Sequence, residues 1–366
     1  MPPLRGGAVE KLWFELGKQF SRQGHTVSHI SRCFPGLPDK EIIEGVQHIR
    51  VQGFENPANA IRLKALDLRY SLRALRVLPP ADILVTNTFW MPILAGWRQS
   101  HWGQIMVSVE RMPKGQMRFY RYASCLRSPS SAVQKAIAQE APYFKGMIRT
   151  IPNPLPFQPL AMGDQNCKPV ILYCGRLHPE KGINLLIKAF TEACQRGLKG
   201  WSLRLVGPAD IEFGGGGEGW LRGLLAQVNM LGLPIEWHGP IFDNDELQHC
   251  YQQAAIFVYP SISDKGETFG LAPLEAMACG AIPIVSSLPC FQDFIVPNVN
   301  GLVFNHRATD ASSQLADRIL ELAGNCEQRT TMSQAAMAVC QSHNPVTIAT
   351  EFLQCFEQMI QANRDT

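Results

Sequence analysis

The chain has 366 residues, 46% of them hydrophobic and 18% charged, a composition that excludes the disordered and fibrous classes. Its net charge of +3 conceals an asymmetry, because residues 1–160 hold 21 Lys and Arg against 10 Asp and Glu, so this part should attract anions. The sequence has no run of 18 apolar residues and no signal-peptide core, which argues against a membrane span and predicts a cytoplasmic location. It also has no Cys-x-x-Cys pair, which argues against a secreted disulfide framework and a zinc site.

Short β-rich runs alternate with helical patterns along the whole chain. The first series is TVSHIS, VQHIRVQ, ADILVTN, QIMVSVE and MIRTIP, and the second is PVILYCG, SLRLVG, AIFVYP, IPIVSS and GLVFN. This alternation predicts an α/β protein with parallel sheets covered by helices. The chain exceeds what one core usually supports, and the Pro-rich segment 151–169 separates the two series. We therefore predict two Rossmann-like, doubly wound lobes, residues 1–158 and 159–343.

An amphipathic pattern over residues 344–366 predicts one closing helix. Its apolar face carries Ile348, Phe352, Cys355, Phe356 and Ile360. The sequence does not define what this face packs against, and the amino-terminal lobe is one candidate.

A basic helical pattern spans residues 61–78, where five cations accompany Leu residues that recur every three to four positions. One interpretation is an outer helix that covers the sheet and presents a solvated basic face. The alternative is docking on a membrane surface. Residues 114–127 interleave Arg with aromatic residues but resemble no nucleic-acid module, so an anionic or lipid-phosphate acceptor is the better explanation and no nucleic-acid partner is predicted.

The second lobe opens with the strand PVILYCG, the turn GRLHPEKG and a helix. Arg176 and Lys181 lie in that turn, ahead of a helix amino terminus whose dipole favours anions. The turn is either a phosphate site or a solvated loop with two surface cations.

The stretch ETFGLAPLEAMACG repeats this strand, turn and helix arrangement. Glu267 precedes the helix and Glu275 lies in its second turn, and a carboxylate can accept hydrogen bonds from two hydroxyls at once. The backbone amides of Phe269, Gly270 and Leu271 at the helix start could bind hydroxyls or phosphate oxygens. The alternative makes Glu267 a helix N-terminal acid and Glu275 a surface residue.

Taken in order, GRLHPEKG, SLRLVG, IEWHGPIFDNDELQHCYQQAAIFVYPS and ETFGLAPLEAMACGAIPIVSS resemble glycosyltransferase family 4, the retaining GT-B enzymes. The resemblance implies two lobes that face a central cleft. It implies transfer of a sugar from a nucleoside-diphosphate donor to a hydroxyl acceptor on a glycan, lipid or polyprenyl carrier, with no metal or cofactor. It implies further that Arg176 and Lys181 bind the donor diphosphate, that Glu267 contacts the sugar and that Glu275 contacts the ribose.

The first lobe resembles the family less closely. RGGAVEK is similar to the first Gly-rich loop, whose amides, here those of Gly6 and Gly7, approach the diphosphate. The family has a strand before this loop, so the first sheet is expected to lack a central member. After QIMVSVE the family commonly has a histidine, and this chain has Glu110, which either contacts the sugar or acceptor, belongs to a variant subgroup or marks lost activity.

Two other functions remain open at this point: a nucleotide-sugar epimerase on a similar fold, and a non-catalytic nucleotide-binding descendant. Asp243 and Asp245 form a D-x-D pattern, but a helix follows at once and the spacing of Asp243 from Glu246 is that of a capping box. We predict a helix cap there rather than a metal site. The run GGGG at 214–217 is expected to be a flexible surface turn.

Overall fold

The computed structural model of the chain describes residues 7–55, 57, 59–160 and 168–364. The chain divides into two compact units, one formed by Met1–Pro156 with Pro345–Thr366 and the other by Phe157–Asn344. Part of the Pro-rich segment 151–169, which the sequence predicts to join the lobes, lies outside the described residues. Within the described residues, no helix has the length and apolar character needed to cross a bilayer.

The described residues of the first unit form twelve α-helices and β-strands before the chain enters the second unit. Its helices and strands are α1 (Ala8–Arg22), β1 (Ser28–Arg32), β2 (Lys40–Ile43), β3 (Val46–Val51), α2 (Ala60–Val77), β4 (Ile83–Thr86), α3 (Met91–Ala95), α4 (Gln99–Trp102), β5 (Gln104–Ser108), β6 (Cys125–Ser128), α5 (Ser131–Glu140) and β7 (Ile148–Thr150).

The strands of the first unit form two sheets instead of one. Strands β4, β5, β6 and β7 are parallel neighbours in that order, whereas β1, β3 and β2 form a separate sheet in which β2 is antiparallel. Among the described residues, no strand pairs with both β1 and β4. That the first sheet lacks a central member stays a prediction.

In the part of the second unit that the structure describes, the strands form one six-stranded sheet with the order β10-β9-β8-β11-β12-β13, and every pairing in it is parallel. Parallel strands buried on both faces are typical of a doubly wound α/β unit. The elements are β8 (Lys168–Cys174), α6 (Ile183–Gln195), β9 (Ser202–Val206), α7 (Glu218–Leu231), β10 (Ile235–Trp237), α8 (Asn244–Gln252), β11 (Ala254–Tyr259), α9 (Leu271–Ala278), β12 (Ile282–Ser286), β13 (Leu302–Phe304), α10 (Ala311–Gly324), α11 (Cys326–Ala336) and α12 (Val339–Ser342).

The last helix, α13 (Pro345–Arg364), belongs to the first unit and packs on α1. Ile348 and Phe352 are fully buried in a core that also contains Leu16 of α1. The rings of Trp13 and Phe352 meet edge to face at 5.4 Å. The apolar face predicted over residues 344–366 thus packs on α1. The sequence alone does not identify α1 as the partner of this face.

Candidate functional site

The turn between β8 and α6 is held against the end of β11. A short 3-10 turn spans Pro179–Lys181, and the ring of His178 accepts a hydrogen bond from the Glu180 amide at 3.2 Å. The carbonyl oxygen of Glu180 accepts from the Ile262 amide at 3.0 Å. Gly182 then has φ +72°, and a Cβ there would lie 2.0 Å from the carbonyl oxygen of Pro260. Only glycine permits this approach of the two turns, which brings Lys181 beside the loop that carries Glu267.

Lys181 and Glu267 form a buried ion pair, with only 5% and 7% of the two residues exposed. The same carboxylate oxygen, Oε1, accepts from the hydroxyls of Tyr259 and Ser261, each at 3.1 Å. Burial raises the pKa of Tyr259 well above its ordinary value and the charge of Glu267 adds to this, so the phenol remains a donor. A buried carboxylate with a cation and two hydroxyl donors is well satisfied and fixed in position.

Arg176 lies on the same turn and is half exposed. Its guanidinium donates to Glu180 Oε1 at 3.1 Å and to the carbonyl oxygen of Gly214. Its own carbonyl oxygen accepts from the hydroxyl of Tyr173 at 2.9 Å, and the Tyr173 ring lies parallel to that of Tyr259 with centroids 5.8 Å apart. The two stacked tyrosines therefore link the backbone of Arg176 to the Lys181–Glu267 pair. The described contacts include none between the Arg176 side chain and that pair.

The GGGG run is not a free surface turn, as the sequence had suggested. Besides the contact of Gly214 with Arg176, the Gly216 amide donates to the Leu177 carbonyl at 2.8 Å and the Gly217 amide to that of Ala209 at 2.7 Å. The run is thus part of the wall around Arg176. No pattern in its sequence reveals this, because the contacts are made by its backbone.

Glu275 lies in α9 and is 5% exposed, so its interpretation as a surface residue is wrong. Its Oε2 accepts from the hydroxyl of Tyr251 at 2.8 Å. Burial raises the pKa of this phenol well above its ordinary value, and neighbouring Cys174 and Glu275 add to the rise. Sequence reasoning missed Tyr251, which comes from the end of α8 and fixes one oxygen of the acid.

Helix α9 begins directly after its N-cap residue Gly270, whose φ is +100°. A Cβ at this position would lie 2.5 Å from the ring of Phe291, so a larger residue would have to displace the ring. No side chain caps this helix, and the first amides of any helix lack intrahelical acceptors. The amide groups of Phe269, Gly270 and Leu271 therefore lie at the amino-terminal end of α9, which favours negative charge. In sequence they stand between the two acids, Glu267 and Glu275.

The remaining predicted residues belong to the first unit. Gly7 has φ +97° and is the N-cap residue just before α1, and Gly6 lies outside the described residues. Glu110, which follows β5, accepts from Arg127 Nη1 at 2.9 Å and from the Ser108 hydroxyl at 2.5 Å. Its carboxylate is thus already engaged with a fully buried guanidinium.

Arg127 was missed by sequence reasoning and joins the ends of three strands. Besides Glu110, it donates to the Ile151 carbonyl at 2.7 Å and to Asn153 Oδ1 at 2.6 Å. Its guanidinium also lies 5.4 Å from the centroid of Phe352 on α13. Strand β6 was not predicted because its four residues, CLRS, show neither an apolar run nor alternation.

The D-x-D pattern forms the predicted cap. Asp243 Oδ1 accepts from the amides of Asp245 at 3.1 Å and Glu246 at 2.9 Å, at the start of α8. The cap interpretation is confirmed.

Comparison with known proteins finds similarity to glycosyltransferases, the class that the sequence resembles. Residues 162–339, just under half of the chain, match the family model described as Glycosyl transferases group 1. An uncharacterized glycosyltransferase of Methanocaldococcus jannaschii is 30% identical over 164 residues, which are 44% of this chain and 38% of that protein. A GDP-mannose-dependent alpha-(1-6)-phosphatidylinositol dimannoside mannosyltransferase of Mycobacterium tuberculosis is 33% identical over 126 residues, 34% of this chain and 29% of that protein. The chain thus matches well under half the length of these relatives.

Similarity to solved structures extends over both units. Sucrose-phosphate synthase from Thermosynechococcus elongatus has a TM-score of 0.79 and 22% identity, covering 98% of this chain and 94% of the other. The Anabaena protein HepE in complex with UDP and glucose has a TM-score of 0.72 and 18% identity, covering 98% and 97%. The predicted GT-B fold with two Rossmann-like units is confirmed, whereas membership of family 4 in particular stays a prediction.

Proposed function

We propose that this protein is a retaining glycosyltransferase that moves a sugar from a nucleoside-diphosphate donor to a hydroxyl acceptor. The observation that carries the proposal is the buried Lys181–Glu267 pair beside Arg176, with a second buried acid, Glu275, on the helix that follows. Two cations after β8 and two acids after β11, a neighbouring strand of the sheet, provide partners for the phosphates and for the hydroxyls at both ends of such a donor.

The proposed chemistry follows from where negative charge develops. As the glycosidic bond breaks, charge accumulates on the leaving diphosphate, and Arg176, Lys181 and the amides at the start of α9 stabilise it there. Lys181 has three donors, so it can bind a phosphate oxygen while it keeps Glu267 in place. The Tyr259 and Ser261 hydroxyls hold Oε1 of Glu267, which orients its carboxylate toward sugar hydroxyls.

The relatives support a nucleotide-sugar donor without defining it. One is described as GDP-mannose-dependent, and the HepE structure contains UDP and glucose. The base, the sugar and the acceptor of this protein therefore call for a direct test. We propose a hydroxyl on a glycan, lipid or polyprenyl carrier as the acceptor, and we propose that no metal ion or further cofactor takes part.

A donor screen tests this proposal. UDP-, GDP- and ADP-sugars are offered with polysaccharide, lipid and polyprenyl acceptors, and release of nucleoside diphosphate is measured with and without each acceptor. Acceptor-dependent release supports transfer. Interconversion of the donor sugar without an acceptor would instead support an epimerase, and donor binding without any turnover a non-catalytic descendant.

Replacing Tyr251 with Phe is expected to weaken nucleotide binding about tenfold. The variant removes one donor to a buried carboxylate, and a hydrogen bond to a charged group contributes about 1.5–3 kcal/mol. Isothermal titration with the nucleoside diphosphate chosen by the screen measures the change. Tyr143→Phe is the control, because that residue is exposed and lies in the other unit. Equal affinity of the two variants would show that Tyr251 does not position Glu275 for the nucleotide.

A further inference from the structure

Helix α2 presents large apolar side chains to the solvent. Ile61 is 81% exposed and Leu72 is 44% exposed, whereas the fully buried positions of the helix are the small residues Ser71 and Ala74. An outer helix that merely covers a sheet places its large apolar residues inward. Residues 61, 65, 68 and 72 follow the spacing of one helix face, so the apolar side chains form a continuous stripe.

Cations flank this stripe, and no acid of the helix opposes them. Arg62 and Lys64 lie beside Ile61, and Arg69 and Arg76 lie beside Leu72, all of them exposed. Asp67, the one acid of α2, instead accepts a hydrogen bond from the Trp90 amide at 3.4 Å, and burial raises the pKa of its carboxyl. The exposed face of α2 is therefore apolar along its centre and positively charged along its edges.

Aromatic and basic side chains continue the same surface beyond the helix. The ammonium of Lys64 lies 4.7 Å from the ring centroid of Phe89, and that ring is 6.1 Å from the ring of Phe119. Phe119 is 45% exposed, and the guanidinium of Arg118 lies 5.0 Å from its centroid. Exposed rings next to cations are typical of surfaces that lie at the level of lipid headgroups.

We propose that α2, together with Phe119 and Arg118, docks this protein on an anionic phospholipid bilayer. The helix would lie in the plane of the surface over its length of about 27 Å, with Ile61 and Leu72 inserted among the lipids and the flanking cations at the headgroups. Charge complementarity selects this occupant, because a purely apolar partner would leave the cations without counter-ions. The inference goes beyond the proposed sugar transfer and does not require it.

Co-sedimentation of the full chain with vesicles tests the proposal. Binding is expected to vesicles of phosphatidylcholine mixed with phosphatidylglycerol, to fall with added salt, and to be absent with phosphatidylcholine alone. Replacing Ile61 and Leu72 together with Ser should weaken binding about tenfold or more. Replacing Arg62, Arg69 and Arg76 together with Gln should weaken it roughly a hundredfold, at about fivefold per charge.

Matched controls come from exposed residues of the second unit. Met230→Ser removes an equally exposed apolar side chain from α7, and Lys188→Gln with Lys199→Gln and Arg222→Gln removes three exposed cations. All altered positions are at the surface, so the variants should stay folded. The proposal is overturned if the chain binds neutral vesicles equally well or binds neither kind. It is also overturned if the α2 variants bind as tightly as their controls.

Discussion

Replacing Lys181 with Met is expected to lower turnover by about 10²–10³-fold, because removing one fixed donor from a site of developing charge has effects of this size. The same change leaves the Glu267 carboxylate buried with only the Tyr259 and Ser261 hydroxyls as partners. Breaking a buried ion pair lowers the free energy of unfolding by about 3–5 kcal/mol. Because two hydroxyl donors to Glu267 remain, we expect a loss near the lower value, about 3 kcal/mol. Nucleoside diphosphate release and urea denaturation measure the two effects.

A second change separates lost chemistry from lost stability. Adding Glu267→Gln to Lys181→Met removes the unpaired charge, so the free energy of unfolding should recover while turnover stays low. Lys188→Met is the matched control, since that lysine is exposed on the helix that follows the same turn. Turnover of the Lys181→Met variant equal to that of the control would remove Lys181 from the site.

The sequence predicted most of the second unit because its local signals agree with one another. Each of the predicted runs PVILYCG, SLRLVG, AIFVYP, IPIVSS and GLVFN overlaps a strand of the sheet, and Glu267 and Lys181 are in contact. The exception was β10, whose three residues are too short for a periodic pattern. The short segment IEW lies at the edge of the sheet, where only its pairing with β9 identifies it as a strand.

The residues that sequence reasoning missed in the candidate site all act through distant contacts. Tyr251 meets Glu275 across 24 positions, and the Gly214 carbonyl meets Arg176 across 38. Neither pair has a spacing that a helix or strand would produce, so the contact exists only once the sheet has formed. The burial of Glu275 has the same origin, because its helix packs against β11 and β12 instead of facing solvent.

In the first unit the short polar strands were the hardest to recognise. Strands β2 and β6 read KEII and CLRS, and neither offers an apolar run long enough to predict a strand. Failing to predict β6 has the largest consequence, because this strand carries Arg127. A charged residue that is fully buried is rare, so sequence reasoning assigns it to the surface by default.

Replacing Arg127 with Met is expected to lower the free energy of unfolding by about 3–5 kcal/mol. The substitution leaves Glu110 without its cation and takes a donor away from both the Ile151 carbonyl and Asn153. Burial already lowers the pKa of the guanidinium, and the charge of Glu110 opposes that shift. Urea denaturation followed by circular dichroism measures the change, with Lys135→Met on the exposed face of α5 as control. A midpoint that matches the control would show that this network contributes no stability.

The same network decides between the two roles of Glu110. If its carboxylate serves only to neutralise Arg127, Glu110→Gln should lower the unfolding free energy while kcat and KM of the proposed reaction stay unchanged, because no substrate contact is lost. If Glu110 contacts the sugar or acceptor, Glu110→Gln should change kcat or KM at temperatures where the variant is fully folded. The contacts with Arg127 and the Ser108 hydroxyl favour the first result, since they hold this carboxylate against a buried guanidinium.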